Sequence, residues 1–387
     1  AFGGGALGNN TTASNNTAVG YQAGYSNTTG VRLCAFGYGA ADANTTGADA
    51  LAFGHNALGG NTTGSQNTAV GTNVLVANTT GSSNTGIGHF ALEANTGSYN
   101  TAIGRDALTS NTTASNNTAV GYQAAYSNVT GTRVTAIGAT AGYSNTATDN
   151  TYVGYAAGNS NTSGTYNTFI GGYGANGYSA GYSNTTGSYN TALGADALGR
   201  NTTASNNTAV GYQAAYSNQT GTYLTVMGYQ AAYYNTATGT TAFGSGALTK
   251  NTTGLANCAF GSTNGSFYQT LNSNTTGDYN AGFGGGALGA NTTGSNNTAV
   301  GTQALAANTT ASNNTAVGYQ AGYSNTTSGS NSYFGYQAGY STTTSFGDIN
   351  AFGWRALYSN TTGYSNTAMG SEALRNNTTA SNNTAVG

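Results

Sequence analysis

Residues 10–30, NTTASNNTAVGYQAGYSNTTG, hold two kinds of Asn-Thr pair. Asn10-Thr11-Thr12 returns as Asn27-Thr28-Thr29, and Asn16-Thr17-Ala18 lies between them. The return comes after 17 residues, and that interval organises the whole chain. Aligned on Ala-apolar-Gly, coils begin at Ala1, Ala18, Ala35, Ala52 and Ala69, and the register continues through 22 coils to a final Ala385-Val386-Gly387. Numbering each coil from its Ala gives the consensus A-φ-G-x-x-A-(L/G/A)-x-x-N-T-T-(G/A)-S-x-N-T. Coils of 16 residues begin at Gly86, Ala136 and Val226, coils of 23 at Phe169 and Ala259, and one of 18 at Tyr333.

Such a period is too short for a helix-turn-helix repeat and lacks the 3.6-residue apolar spacing of a helix. It suits one turn of a β-solenoid, so the expected fold is all-β: about 22 coils, residues 1–387 as one continuous array. Stacked at the strand spacing of about 4.8 Å, these would form an elongated rod roughly 100 Å long. Thr-Ala-φ-Gly reads as a short strand with its φ residue pointing inward. Gly at position 3 permits a bend or a close backbone approach. Small residues at positions 6 and 7 would fill a narrow core. The absence of Pro agrees with a ladder in which every coil donates N–H groups to its neighbour. Insertions near Tyr173 to Tyr178 and Thr263 to Leu271 are candidate protruding contacts. A start at Ala1 and a stop at position 3 suggest a fragment of a longer fibre, or of a filament whose subunits cover one another's ends.

Only 4% of the residues are charged and the formal net charge is -2, which points away from a basic nucleic-acid surface and a polybasic membrane patch. No apolar run reaches the roughly 20 residues of a membrane-spanning helix, so no membrane insertion is expected. A strictly spaced large apolar residue argues against the disorder that low charge and abundant Gly, Ser and Asn otherwise suggest.

The two asparagines differ in how they vary. Position 10 opens Asn-x-Ser/Thr in 18 of 22 coils: Asn10, Asn27, Asn44, Asn61, Asn78, Asn111, Asn128, Asn161, Asn184, Asn201, Asn218, Asn251, Asn274, Asn291, Asn308, Asn325, Asn360 and Asn377. Its middle residue changes while the hydroxyl stays, as in Asn128-Val129-Thr130, so these are candidate glycosylation sites on an outward turn. Three exceptions, at Asn95, Asn145 and Asn235, fall in the 16-residue coils, where the second Thr is the missing residue; the fourth has Ser341 in place of Asn. A purely structural turn therefore fits as well. Position 16 accepts Leu33, Ala50, Val134, Leu224 and Ile349, which implies an inward place and a buried amide ladder through Asn16, Asn67 and Asn84. Asn15, Asn116, Asn206, Asn296, Asn313 and Asn382 also complete formal acceptor sequences, but position 15 varies freely and these read as incidental.

Nothing resembles a catalytic triad, a phosphate loop, paired carboxylates or a metal cluster, so no enzymatic activity and no cofactor are expected. Cys34 and Cys258 share position 17, too far apart in such an array to pair with one another, and read as small buried thiols, with bridging between molecules the alternative. His55 and His89 share position 4 without acidic neighbours. Tyr21, Tyr25, Tyr122, Tyr126, Tyr212, Tyr216 and Trp354, at positions 4 and 8, should align into aromatic stripes. These are candidate surface contacts, either packed against a neighbouring chain or turn or offered to sugar rings.

The phrase NTAVGYQA(G/A)YSNTTG resembles repeat arrays of bacterial and phage tail-fibre-like proteins. More distantly, Asn-Thr-Ala-Val-Gly resembles the strand motif in heads of trimeric autotransporter adhesins. This resemblance implies an extracellular or cell- or virion-surface β-roll used for attachment and assembled as a homotrimer; a single-chain, glycan-coated solenoid filament is the alternative. The expected function is thus a non-enzymatic fibre or adhesin shaft. A carbohydrate- or ice-binding module using the Tyr or Thr rows is the second reading.

Overall fold

The computed structural model describes residues 1–262, 269–343 and 346–387. It is an all-β solenoid with a repeat of about 17 residues and 22 strands of three residues each. Two compact units divide the chain, Ala1–Asp196 and Ala197–Gly387. The first carries β1 (Thr17–Val19) to β11 (Thr191–Leu193), the second β12 (Thr208–Val210) to β22 (Thr384–Val386). Within a unit each strand pairs in parallel with its successor, like position against like. Thus Thr17, Ala18 and Val19 meet Cys34, Ala35 and Phe36. Of the two insertions, that at Tyr173 to Tyr178 is an ordered loop, whereas residues 263–268 of the other lie outside the described residues.

The strand reverses one expectation. Position 1 is the inward residue and position 2 faces out: Ala18, Ala35 and Ala52 are buried, whereas Phe53 is 55% exposed and Ile137 40%. Side chains alternate across a strand, so a three-residue strand buries only its middle member. The core beneath it is so narrow that this member is usually Ala. Gly at position 3 is dictated by the same crowding. Gly104 has φ near +135°, and a Cβ there would lie about 2.5 Å from the carbonyl oxygen of Gly121 in the next coil.

Positions 4–9 form successive tight turns instead of a strand. In the first coil the N–H groups of Ala6, Gly8 and Asn10 donate to the carbonyls of Gly3, Gly5 and Leu7. Positions 5, 7 and 15 are left-handed even without glycine, as at Gln22 (φ 54°), Leu58 (φ 54°) and Asn116 (φ 63°). An L-residue pays for that hand in local sterics, and the solenoid supplies the compensation. Each of these positions sends its N–H to an adjacent coil: Gln22 to Gly4 O, Leu58 to Val74 O, Asn116 to Ser98 O, at 2.9–3.2 Å. This also accounts for Leu, Gly or Ala at position 7 in place of the Val and Ile usual in β cores, since branching at Cβ makes the left-handed region costly.

Core volume is shared among positions 1, 7 and 16. Where position 1 is large, position 7 is Gly on both sides. A Cβ on Gly142 or Gly158 would come within 2.5 or 2.3 Å of the Tyr152 ring, and one on Gly322 or Gly339 within 2.6 or 2.3 Å of Tyr333. Where position 16 is apolar (Leu33, Ala50, Val134, Leu224, Ile349), position 7 of that coil is Gly24, Ala41, Ala125, Ala215 or Gly339. Interiors pack to crystal-like density, so each added side chain has a matching deletion beside it.

Candidate functional surfaces

The position-10 asparagines lie inside the solenoid, which corrects the outward turn expected for them. Asn27, Asn44, Asn78, Asn111, Asn128, Asn161, Asn184, Asn201, Asn218, Asn251, Asn274, Asn291, Asn308, Asn325 and Asn360 are wholly buried, Asn61 nearly so; only Asn10 and Asn377, in the first and last coils, are partly open. A buried amide is tolerable only when bonded, and here both Nδ2 hydrogens are used. Asn44 Nδ2 donates to Asn27 Oδ1 in the preceding coil at 2.7 Å and to its own coil's Gly47 carbonyl at 3.0 Å. Asn61 repeats the pair at 2.8 and 2.9 Å. A glycosylated Asn keeps one N–H and adds a sugar, so neither this bonding nor this space admits one. Asn-Thr-Thr is therefore a ladder motif. Position 11 completes it, with the Thr28 and Thr45 hydroxyls donating to the carbonyls of Thr45 and Thr62 at 3.1 and 2.9 Å. Position 12 needs no inward partner, and Thr12, Thr29, Thr46 and Thr63 face out.

Two details refine the exceptions. In the short coil at Gly86, Asn95 Nδ2 reaches the Gly97 carbonyl two residues on instead of three, and Thr96 plays the part of the first Thr, so the second Thr is indeed the one missing. In the 18-residue coil the tenth place belongs to Thr342, not Ser341. Thr342 is buried and donates its N–H to Gly339 O, as each position-10 Asn does to position 7. The ladder breaks there: among the described residues none stands in hydrogen-bonding geometry to the buried Asn325 Oδ1, Thr342 Oγ1 or Tyr333 Oη. At the equivalent place Tyr152 Oη donates to Asn145 Oδ1 at 2.9 Å and accepts from Asn161 Nδ2 at 2.8 Å. Burial raises the hydroxyl pKa of both tyrosines, strongly at Tyr152.

Position 16 forms the expected buried ladder. Asn84 Nδ2 donates to Asn67 Oδ1 at 3.2 Å, and the same oxygen accepts the Asn84 backbone N–H at 3.0 Å. An apolar successor still supplies that N–H, as Leu33 does to Asn16 Oδ1 at 2.8 Å, which is why the position tolerates one. A third amide ladder, at position 5, is absent from the reading of the sequence: Gln230 donates to Gln213, Gln320 to Gln303 and Gln337 to Gln320 at 2.7–2.9 Å. Its only trace was the recurring Gly-Tyr-Gln-Ala. Among the described residues, exposed asparagines of formal acceptor sequences include those at position 15, Asn15, Asn116, Asn206, Asn296, Asn313 and Asn382, and Asn9 and Asn376 at position 9.

The aromatic positions do form columns. Tyr21 stacks on Tyr38 at 5.2 Å and Tyr38 on His55 at 5.5 Å; Tyr126 stacks on Tyr143, and Tyr323, Tyr340 and Tyr358 form a run at 5.1–5.2 Å. Ring faces within a column are thereby covered by neighbouring rings, leaving edges and hydroxyls outward. Tyr21, Tyr25, Tyr122 and Trp354 are exposed by 39–52% and Tyr126 and Tyr212 are half-buried. Tyr216 is only 6% exposed, with Tyr233 stacked 5.0 Å away and the Arg200 guanidinium 5.6 Å from its ring, so it is not a surface contact. Arg355 lies 4.7 Å from the Trp354 ring and 5.2 Å from Tyr358. His89 packs edge-on to Phe90. Cys34 and Cys258 are half-buried free thiols on the outer side of their strands, and burial raises the Cys258 pKa. In the insertion, the buried Asp196 carboxylate accepts the N–H groups of Asn176 and Tyr178 at 3.1 and 3.2 Å.

Among the described residues no group of three or more His, Cys, Asp or Glu side chains is placed to hold a metal ion. Compared with known proteins, the chain matches no family model and no curated protein matches its sequence.

Proposed function

We propose that this chain is a structural, non-catalytic repeat array serving as the shaft of an extracellular fibre or adhesin, self-associating as a homotrimer, with a single-chain solenoid filament as the alternative. The observation that supports this is the repetition of one bonding scheme, coil after coil, at positions 5, 10, 11 and 16. Stability in such an array is a sum of nearly equal coil and interface contributions, which suits an element whose length is its function. Immunogold labelling with an antibody to the chain tests the reading. Label on fibres outside the producing cell is expected, and label confined to the cell interior would sink it. Removal of residues 35–85, three whole coils, is expected to leave a folded, protease-resistant chain; collapse to an unfolded chain would contradict distributed stability.

A second reading, carbohydrate binding, draws on the exposed rings. A ring without an aromatic neighbour on one side offers a face there, as Tyr122 does toward Ala139, its other neighbour at position 4 being Arg105, whose guanidinium lies 5.9 Å from the ring. Loss of glycan-array binding in Tyr122→Ala would favour it. The exposed position-12 threonines carry the ice-binding version, which an inactive ice-recrystallisation assay would dispose of.

A further inference from the structure

Position 2 faces outward, exposed or half-buried, and yet is apolar in every coil. All 23 of its residues are Phe, Val, Ile, Leu or Met, none is buried, and Ile87, Ile103, Val300 and Met369 are 38–47% exposed. Packing along the column itself does not require this. Position 17 lies on the same face of the same strands and there Thr, Cys, Leu, Ser, Asn and Ala all occur. A hydroxyl would serve β-strand stacking as well as a methyl does; what selects against it is a dry surface opposite. Solvent-facing aromatic pairs within the column, such as Phe243 on Phe260 at 4.6 Å and Phe334 on Phe352 at 5.0 Å, leave their outer edges uncovered.

We infer that this strand face is a lateral docking surface, and that its occupant is the same face of a second copy of the chain. Positions 2 and 17 carry no charge in any coil, so nothing on the face selects a charged partner. A second copy also brings the same axial spacing, which lets apolar rows meet apolar rows along many coils, and a face that docks on itself is the commonest closed symmetric interface. The area suffices. Eleven strands per unit at ~4.8 Å, three residues wide, give a footprint of roughly 500 Å² per unit, or about 1,000 Å² over both partners, the lower bound for a specific interface. The inference rests on the fibre reading and deepens it by naming the surface through which copies associate, as a two-fold pair in place of the homotrimer.

The test is sedimentation velocity of the full chain over a concentration series. The unsubstituted chain is expected to self-associate at micromolar concentrations. A variant with Ile87, Ile103, Ile137, Val300, Val317 and Met369 each changed to Lys is expected to associate at least about a hundredfold more weakly, because like charges are brought together at the contact. A second variant, with Thr80, Thr113, Thr130, Thr293, Thr310 and Thr379 changed to Lys, adds the same charge on the exposed position-12 row and is expected to associate like the parent. Circular-dichroism melts of all three report whether each is folded. A monomeric parent overturns the inference, as does association that survives the strand-face lysines or is lost equally with the position-12 lysines. External fibre labelling is independent of these outcomes, so the fibre reading can stand when the docking surface falls.

Discussion

A single missing amide shows what one ladder rung contributes. At Thr342 the position-10 ladder lacks its amide, and among the described residues none stands in hydrogen-bonding geometry to three buried polar atoms, on Asn325, Tyr333 and Thr342 itself. The Tyr152 coil has the same geometry with Asn161 in place and its hydroxyl fully bonded. Each orphaned buried group costs about 1–3 kcal/mol, so Thr342→Asn is expected to stabilise the second unit by about 1–3 kcal/mol, read as a higher denaturation midpoint. No change would mean that the replacement amide fails to reach Tyr333 Oη. The reverse substitution, Asn44→Ala, removes the donors to Asn27 Oδ1 and Gly47 O and is expected to destabilise by about 2–4 kcal/mol.

At the scale of the element, the coil is held by where backbone meets backbone. Gly104 combines a φ near +135° with a neighbouring carbonyl in the place of a Cβ, so Gly104→Ala strains its own dihedral and displaces the next coil. A loss of about 2–4 kcal/mol is expected, with hydrogen-exchange protection falling first at Gly121 and Thr118. Protection lost evenly over the first unit would show instead that its coils open together. Phe169 spans the core opposite Gly158 and Gly181, and Phe169→Ala is expected to cost about 3–5 kcal/mol through the cavity it leaves.

The whole molecule responds to pH through its buried tyrosines. Burial favours the neutral phenols of Tyr152 and Tyr333 in the folded state, while the unfolded chain ionises near pH 10. Above that pH the unfolded state holds fewer protons, so the stability present below it declines as pH rises toward the folded-state values. Tyr333 Oη lacks the two amide bonds of Tyr152 and has only the Thr342 hydroxyl beside it. Tyr333→Phe is therefore expected to hold its neutral-pH melting temperature and to soften the alkaline decline, and an unchanged alkaline profile would contradict this. Glycopeptide mapping is expected to return the buried position-10 peptides unmodified. Sugar on Asn44 or Asn128 would show that these ladders are absent when it is added.

The period of 17, the strand at Thr-Ala-φ, the tight Gly at position 3 and the inward Asn at position 16 were all legible in the sequence, because repetition compares one environment across many coils. What repetition does not reveal is direction. Exposure cannot be inferred from an apolar residue, since apolar atoms also make up much of any protein surface; only the narrow core, filled by Ala at position 1 and Leu at position 7, turns position 2 outward. A hydroxyl-retaining Asn-x-Thr likewise looks the same as an acceptor on a surface or as a rung in a ladder. The stacking of coils decided between them by placing the preceding coil's Oδ1 within 3.0 Å of Nδ2 at Asn27, Asn44 and Asn61. The left-handed backbone at positions 5, 7 and 15 was hidden for the same reason. Its compensating hydrogen bonds are made to other coils, and a local reading of sequence sees only the residue that bears the strain.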